Sequence, residues 1–338
     1  MGFGGKDFAR LPQKAGYVKI GDNMNIVILD YKTLGEDLDL SGAEKFGTVT
    51  KYPVTKQEDA PSRLENADIV IVNKVKMNES TLKNAKNLKL ICETATGYDN
   101  IDTEYCRKRG IAVANTPAYS TACVAQVTVS MACSLVTHLQ EYRRFVHNGG
   151  YQNSISANML EPVYHEMSGM TWGIIGFGNI GRGVAKIADA FGCRVLVNKR
   201  TPVNDYECVE LDYLLKNSDI ISIHCPLTDK TRGMIGKEQL EMMKKNAVII
   251  NVARGAVWDE QAVANAIENG TIGGVGCDVF SYEPIDEKHP FVKILDRDNV
   301  LLTPHMAWGA FESRTRCFNT VLSNIEAYLS GREQNRIV

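Results

Sequence analysis

Short apolar runs set between polar turns recur down the first third of the chain: NIVILD from Asn25, ADIVIVN from Ala67, LKLICET from Leu88 and IAVAN from Ile111. Runs of this length bounded by Asn, Asp and Gly predict buried strands, and the helical stretches separating them predict βαβ units and a mostly parallel sheet. Residues 120–148 contain neither Gly nor Pro, begin with Ser and Thr and stop at Gly149 and Gly150, which predicts one long helix. A second series follows: MTWGIIG, CRVLVN, DIISIHCP, AVIINVAR, GGVGCDVF and NVLLTPH. It predicts a second, separate parallel sheet. The closing stretch, 311–330, has helical periodicity and is expected to pack back on the first unit. Residues 1–23 are Gly-rich and polar and are expected to be an N-terminal extension.

Composition narrows what such a chain does. With 338 residues, 44% hydrophobic and 23% charged, there is room for two packed domains. A formal net charge of −2 offers no positive field for nucleic acid or an anionic membrane, so neither partner is expected. No eighteen-residue apolar run and no leader-like pattern in the first thirty residues are present, and export is not expected. Nine scattered cysteines without a CxxC fit a reducing, cytoplasmic setting. Neither HExxH nor another metal-ligand spacing occurs, and no metal is expected.

The chemistry begins at TWGIIGFGNIGRG. Gly176, Gly178 and Gly181 form G-x-G-x-x-G directly after a strand and before a helix, the context in which this pattern binds a dinucleotide. The first glycine permits the tight turn, the second a close approach of the pyrophosphate, the third close helix packing, and the amides at Asn179 and Ile180 open the helix toward phosphate. About twenty residues on, an NAD-selective site places an acidic side chain. Here the stretch is VLVNKRTP: Asn198, Lys199, Arg200 and Thr201 stand where the acid is expected. Cationic and neutral donors suit a 2′-phosphate, so NADP(H) is expected over NAD(H), with use of both as the alternative.

Later strands end in reactive side chains: Arg254, then Asp278 and Glu283, then His305. In an open α/β sheet the strand carboxyl ends line one crevice. Reducing a 2-oxo acid needs a hydride, a proton for the developing alkoxide and a cation for the carboxylate and carbonyl. Arg254 suits the cation because its fork engages two oxygens. His305 suits the proton, and Glu283 is placed to bond its other ring nitrogen and favour the imidazolium. His224, in HCPLT, is a rival proton donor but is expected near the cofactor instead.

Together these residues resemble the D-isomer-specific 2-hydroxyacid dehydrogenase family, from about Met24 to about Leu329. The motifs are GIIGFGNIG, HCPLT, NVARGAVWDE, GCDVFSYEP and LLTPHMAW. The resemblance implies catalytic Arg254, Glu283 and His305, with Asp278 holding the nicotinamide carboxamide. Implied cofactor contacts also include Cys225, Pro226, Val252, Ala253 and His305 itself. The implied fold is α/β with two Rossmann-like domains and a cleft between them. Its flavodoxin-like substrate domain would comprise 24–119 and 307–338, and its doubly wound dinucleotide-binding domain 120–306, which would also contribute the interface of a homodimer.

Within that family ETATGYDNID and NTPAYSTACVAQ are most like the glycerate dehydrogenase/hydroxypyruvate reductase branch. In that branch the amides of Ala95, Thr96 and Gly97 receive the substrate carboxylate, a task for which a loop of small residues is suited because successive N–H groups form an anion nest. Trp308 is either a pocket wall or core. Thr96 stands where phosphite dehydrogenases carry Lys, and Glu283 where formate dehydrogenases usually carry Gln. Phosphoglycerate dehydrogenases often continue into a regulatory domain, whereas this chain stops at 338. The expected activity is NAD(P)-dependent transfer of a hydride between nicotinamide and C2 of glyoxylate, hydroxypyruvate or glycerate. Alternatives are a D-lactate-type or phosphoglycerate-type dehydrogenase, or a dinucleotide-sensing, corepressor-like binding protein.

Overall fold

Residues 24–338 are described by the computed structural model, and the expected extension at 1–23 lies outside the described residues. Strands β1 (Met24–Ile28), β2 (Gly47–Lys51), β3 (Ile69–Val72), β4 (Leu90–Glu93) and β5 (Ala112–Ala114) form a parallel sheet in the order β2-β1-β3-β4-β5. This is the flavodoxin-like order. Every residue of β3 and β4 is buried, as an interior parallel strand covered on both faces requires. Among them Glu93 is the one carboxyl.

The second sheet contains β6 (Thr171–Ile175), β7 (Arg194–Asn198), β8 (Glu207–Cys208), β9 (Ile220–Ile223), β10 (Val248–Asn251), β11 (Gly274–Cys277) and β12 (Val300–Leu302). Its order is β12-β11-β10-β9-β6-β7-β8, and all pairs are parallel. From β6 the strands are laid down first to one side, through β7 and β8, then to the other, beginning with β9. The reversal between β6 and β9 is the switch point at which doubly wound sheets bind ligands. One apolar cluster, with Ile221, Ile249, Val263 and Phe291, and another, with Val124, Val129, Trp172, Val184 and Ile250, form the buried core of this unit.

Two compact units result, one running to Tyr119 and resuming at Arg314, the other spanning Ser120–Ser313. The return therefore comes seven residues later than the expected 307. The cause is local: Asp278 takes the amides of Met306 and Ala307, and Cys123 takes that of Ala310, fastening this segment to the second unit.

The helix expected over 120–148 is two, Thr121–Val136 and Leu139–His147, bent by 65°. The break falls at His138, whose φ is 51°, after Thr137 has turned its hydroxyl back onto the Cys133 carbonyl. The first helix buries Val124, Val129, Met131 and Leu135; the second buries nothing and docks through polar contacts, Gln140 on the carbonyls of Asp298 and Val300 and Arg144 on the Asp298 carboxylate. Among the described residues no single helix is long and apolar enough to cross a membrane. All nine cysteines are free thiols.

Candidate active site

At the switch point β6 ends and the chain turns on Gly176, whose φ of 90° favours glycine. A Cβ there would lie 2.4 Å from the backbone nitrogen of Cys225 and 2.7 Å from the carbonyl carbon of His224, so strand ends β6 and β9 meet at bare backbone. At Gly181 a Cβ would meet the Gly176 carbonyl at 2.4 Å, whereas the space beside Gly178 is open to 4 Å. Gly178 caps the helix Asn179–Ala190 with no side-chain bond, and the first intrahelical bond runs from Arg182 to Gly178. The amides of Asn179, Ile180 and Gly181 thus lie in the first turn, where no intrahelical acceptor exists. Open space over an uncapped twelve-residue helix fits a pyrophosphate.

The turn after β7 is fixed from both ends. The Asn198 carbonyl accepts from Gly176 N at 2.9 Å and its side chain donates to the Val209 carbonyl at 3.0 Å. Asp205 pairs with Arg182 at 2.5 Å, and Arg182 in turn lies over the Phe177 ring at 4.7 Å. That pairing holds the Asp205 carboxyl below its ordinary range, with Lys199 adding to the effect. The turn's carboxylate is therefore committed to the protein. Lys199 is half-buried, and Arg200 and Thr201 are exposed.

Beyond β11 and β12 the structure brings Glu283 and His305 together, with Asp278 beneath the turn that carries His305. Nδ1 of His305 lies 2.7 Å from Oε2 of Glu283, whose Oε1 accepts from the Phe280 amide at 3.0 Å. His305 has φ 53°, a conformation uncommon outside glycine. What imposes it is Asp278: one oxygen accepts from the Thr303 hydroxyl at 2.5 Å and the Met306 amide at 2.8 Å, the other from the Ala307 amide at 2.9 Å. Burial raises the Asp278 carboxyl despite these donors. A contact to a carboxamide, implied by the resemblance, would have to use the capacity left on its second oxygen.

Arg254 follows β10, its guanidinium donating to the Ala253 carbonyl at 2.8 Å while its own carbonyl accepts from Asn251 at 2.9 Å. Asn251 also takes the Ala253 amide at 3.0 Å; Val252 is buried. Cys225 is buried with its thiol pushed up to about 11 by desolvation, and Pro226 is exposed. Trp308 is half-buried and packs on the cluster around Trp172 and Val248.

One support was not anticipated from the sequence. Glu260, at the start of the helix Glu260–Glu268, takes the Ser281 amide at 2.8 Å and the Ser281 hydroxyl, and lies 3.1 Å from the buried His289. It thereby clamps the segment leading to Glu283. His224, the rival proton donor, has Nε2 2.9 Å from the Ser222 hydroxyl, which accepts from Trp172 Nε1 at 3.0 Å. Its Nδ1 is buried and makes no hydrogen bond among the described residues, and desolvation lowers its pKa to about 3. A ring so hard to protonate is a poor acid for catalysis.

In the first unit, the loop after β4 has its carbonyls occupied. Thr94 O accepts from Asn73 at 3.2 Å and from Cys317 at 3.3 Å, Ala95 O from Thr116 N at 3.0 Å, and Thr96 O from Asn115 at 2.8 Å. The Thr96 hydroxyl donates to the Thr116 carbonyl at 3.1 Å. No acceptor among the described residues engages the amides of Ala95, Thr96 or Gly97. A loop whose Thr94, Ala95 and Thr96 carbonyls are bonded, with three successive amides unused among the described residues, has the polarity of an anion nest.

The family model for the D-isomer specific 2-hydroxyacid dehydrogenase NAD binding domain matches residues 129–307. A hydroxypyruvate reductase of Blautia hydrogenotrophica is 35% identical over 321 residues, 92% of this chain and 99% of its own. A glycerate dehydrogenase of Methylorubrum extorquens is 37% identical over 278 residues, 82% of this chain and 88% of that one. Among solved structures, the D-lactate dehydrogenase of Aquifex aeolicus complexed with NAD and lactic acid superposes with a TM-score of 0.77 at 30% identity, covering 91% of this chain and 96% of that one.

Proposed function

The chain belongs to the D-isomer-specific 2-hydroxyacid dehydrogenase family, as an NAD(P)-dependent oxidoreductase of 2-hydroxy acids, and from that premise we propose that it reduces hydroxypyruvate or glyoxylate, with NADPH preferred. The observation that carries this reading is the His305–Glu283 contact of 2.7 Å, held on the strained turn that Asp278 grips.

A bound nicotinamide supplies the hydride for C2. The chain's own residues do the rest. In the first unit the amides of Ala95, Thr96 and Gly97 suit the substrate carboxylate; in the second the Arg254 guanidinium suits the carbonyl oxygen, which it polarises. With Nδ1 committed to Glu283, His305 uses Nε2–H to protonate the oxygen as charge develops, and the Glu283 carboxylate stabilises the imidazolium before transfer. Asp278 keeps the imidazole in place and turns its remaining lone pairs to the carboxamide. The reverse reaction runs the proton back onto His305 from the hydroxyl.

Cofactor preference rests on Lys199, Arg200 and Thr201: among the described residues neither cation makes a salt bridge, and Asp205, whose charge Lys199 senses, is already paired to Arg182. Assembly as a homodimer is supported by the helix Leu139–His147, which buries nothing, and by exposed Leu139, Val146, Ile155, Leu160 and Val163. Nine free thiols support a reducing, cytoplasmic setting.

The deciding experiment follows consumption of reduced cofactor with a panel of 2-oxo acids and both NADH and NADPH. Turnover highest with hydroxypyruvate or glyoxylate and NADPH is expected; no turnover with any 2-oxo acid would refute the assignment.

A further inference from the structure

Glu93 closes β4, an interior strand whose other residues, Leu90, Ile91 and Cys92, are apolar, and its residue is wholly buried. A carboxyl in such a position is costly unless it is neutral and hydrogen-bonded. Oε2 accepts from the Asn100 carboxamide at 2.9 Å, while Oε1 makes no hydrogen bond among the described residues. The Asn100 nitrogen also reaches the carbonyls of Asn73 and Val75, both at 3.2 Å. Glu93 is the residue before the loop Thr94–Asp99, and Asn100 the residue after it. Their side chains join its two ends, and through Asn100 the joint is tied to the segment after β3.

From this juxtaposition we infer that Glu93 and Asn100 form a clasp that sets the spacing of the Ala95, Thr96 and Gly97 amides, making Glu93 a positioning residue for the substrate carboxylate. The inference rests on the assignment of that loop to the carboxylate. Opening the clasp frees both ends of the loop, and three amides lose a common focus although Asn73, Asn115 and Thr116 still hold its carbonyls. The neutral form is the one that fits. Burial raises the Glu93 carboxyl well above its ordinary range, Asp30 and Asp99 push the same way, and Lys74 and the Asn100 bond only partly oppose them. An ionised carboxylate at the base of the loop, two residues before Ala95, would oppose the anion the nest is built for.

The test measures KM for hydroxypyruvate, Ki for oxalate, kcat and the dissociation constant of NADPH in four variants, with a melting curve for each. Glu93→Gln, a neutral isostere, is expected to hold KM within about three-fold. Glu93→Met, which fills the space but cannot accept from Asn100, and Asn100→Ala, which breaks the clasp from the partly exposed side, should each raise KM and Ki about ten-fold or more, with kcat and NADPH affinity nearly unchanged. Thr96→Pro removes one amide and tests the loop itself. If Thr96→Pro raises KM while Glu93→Met and Asn100→Ala leave it within two-fold of wild type, the clasp is overturned and the loop assignment stands. If Thr96→Pro has no effect, the loop assignment falls and takes the clasp with it. Should Glu93→Met fail to fold, Asn100→Ala decides alone.

Discussion

A Cβ placed on Gly255 would lie 2.0 Å from the carbonyl carbon of Phe280 and 2.2 Å from the nitrogen of Ser281. Backbone on backbone at that distance welds the turn after Arg254 to the segment that carries Glu283. Glu260 completes the joint by holding Ser281 from the other side.

Gly255→Ala must therefore shift one segment against the other, because neither neighbour is a flexible side-chain tip. A displacement on the order of 1 Å at a catalytic group costs about a hundred-fold in rate, and that loss in kcat/KM is expected here. NADPH affinity, which the proposal assigns to the glycine cradle around Gly176 and Gly178, should change little. Steady-state kinetics with equilibrium titration of the cofactor separate the two.

Removing the proposed proton donor has a different signature. His305→Ala should lower kcat by a factor of about 10² to 10⁴, the usual worth of a general acid–base group. Glu283→Gln keeps the side-chain shape but withdraws the negative charge from Nδ1, so the imidazolium loses its partner. Its kcat should fall about ten-fold or more with NADPH affinity kept, and an unchanged kcat would argue against the pairing as a catalytic feature.

Much of this arrangement was legible in the sequence, and what was not has physical causes. Interior strands are continuous apolar runs, and each was readable as such. The two that escaped, β2 and β8, are sheet edges: Gly47–Lys51 alternates Thr with Val and is mostly exposed, and Glu207–Cys208 is two residues long. The bend at His138 escaped because a left-handed residue without Gly, Asn or Pro gives no signal in composition. Arg254, Glu283 and His305 were visible through their strand-end positions. Glu260, Glu93 and Asn100 were not, because a carboxyl or carboxamide buried to hold backbone looks in a sequence like any solvated polar residue. Glu93 within LKLICET was the available signal: one charge-bearing residue closing an apolar run.

Cofactor choice is tested at the turn after β7. A charge-assisted bond to a 2′-phosphate lost from Arg200 or Lys199 should raise KM for NADPH about ten-fold per side chain, while KM for NADH, which has no phosphate there, stays within about two-fold. Arg200→Ala and Lys199→Ala assayed with both cofactors give the ratio directly. Parallel changes with the two cofactors would show that these cations act on the fold of the turn rather than on the phosphate.

His224 and Glu93 tilt stability with pH in opposite directions. For His224 the folded value is about 3 against an ordinary 6.5, so between these limits the unfolded chain binds the extra proton and stability falls as pH falls. His224→Asn removes that proton uptake, and its stability relative to wild type should rise from pH 6.5 toward 3. Glu93 is raised above its ordinary 4.5, so the folded chain holds the extra proton; its contribution is complete below 4.5 and is lost as pH rises through the folded value. Glu93→Gln cannot ionise and should gain on wild type as pH rises above 4.5. Urea unfolding of the two variants and wild type across this range reads both slopes as differences, in which every other titrating group cancels. Should Glu93→Gln run parallel to wild type throughout, Glu93 would have to be ionised in the folded chain, and a neutral clasp joining the ends of the loop that carries Ala95, Thr96 and Gly97 would be excluded.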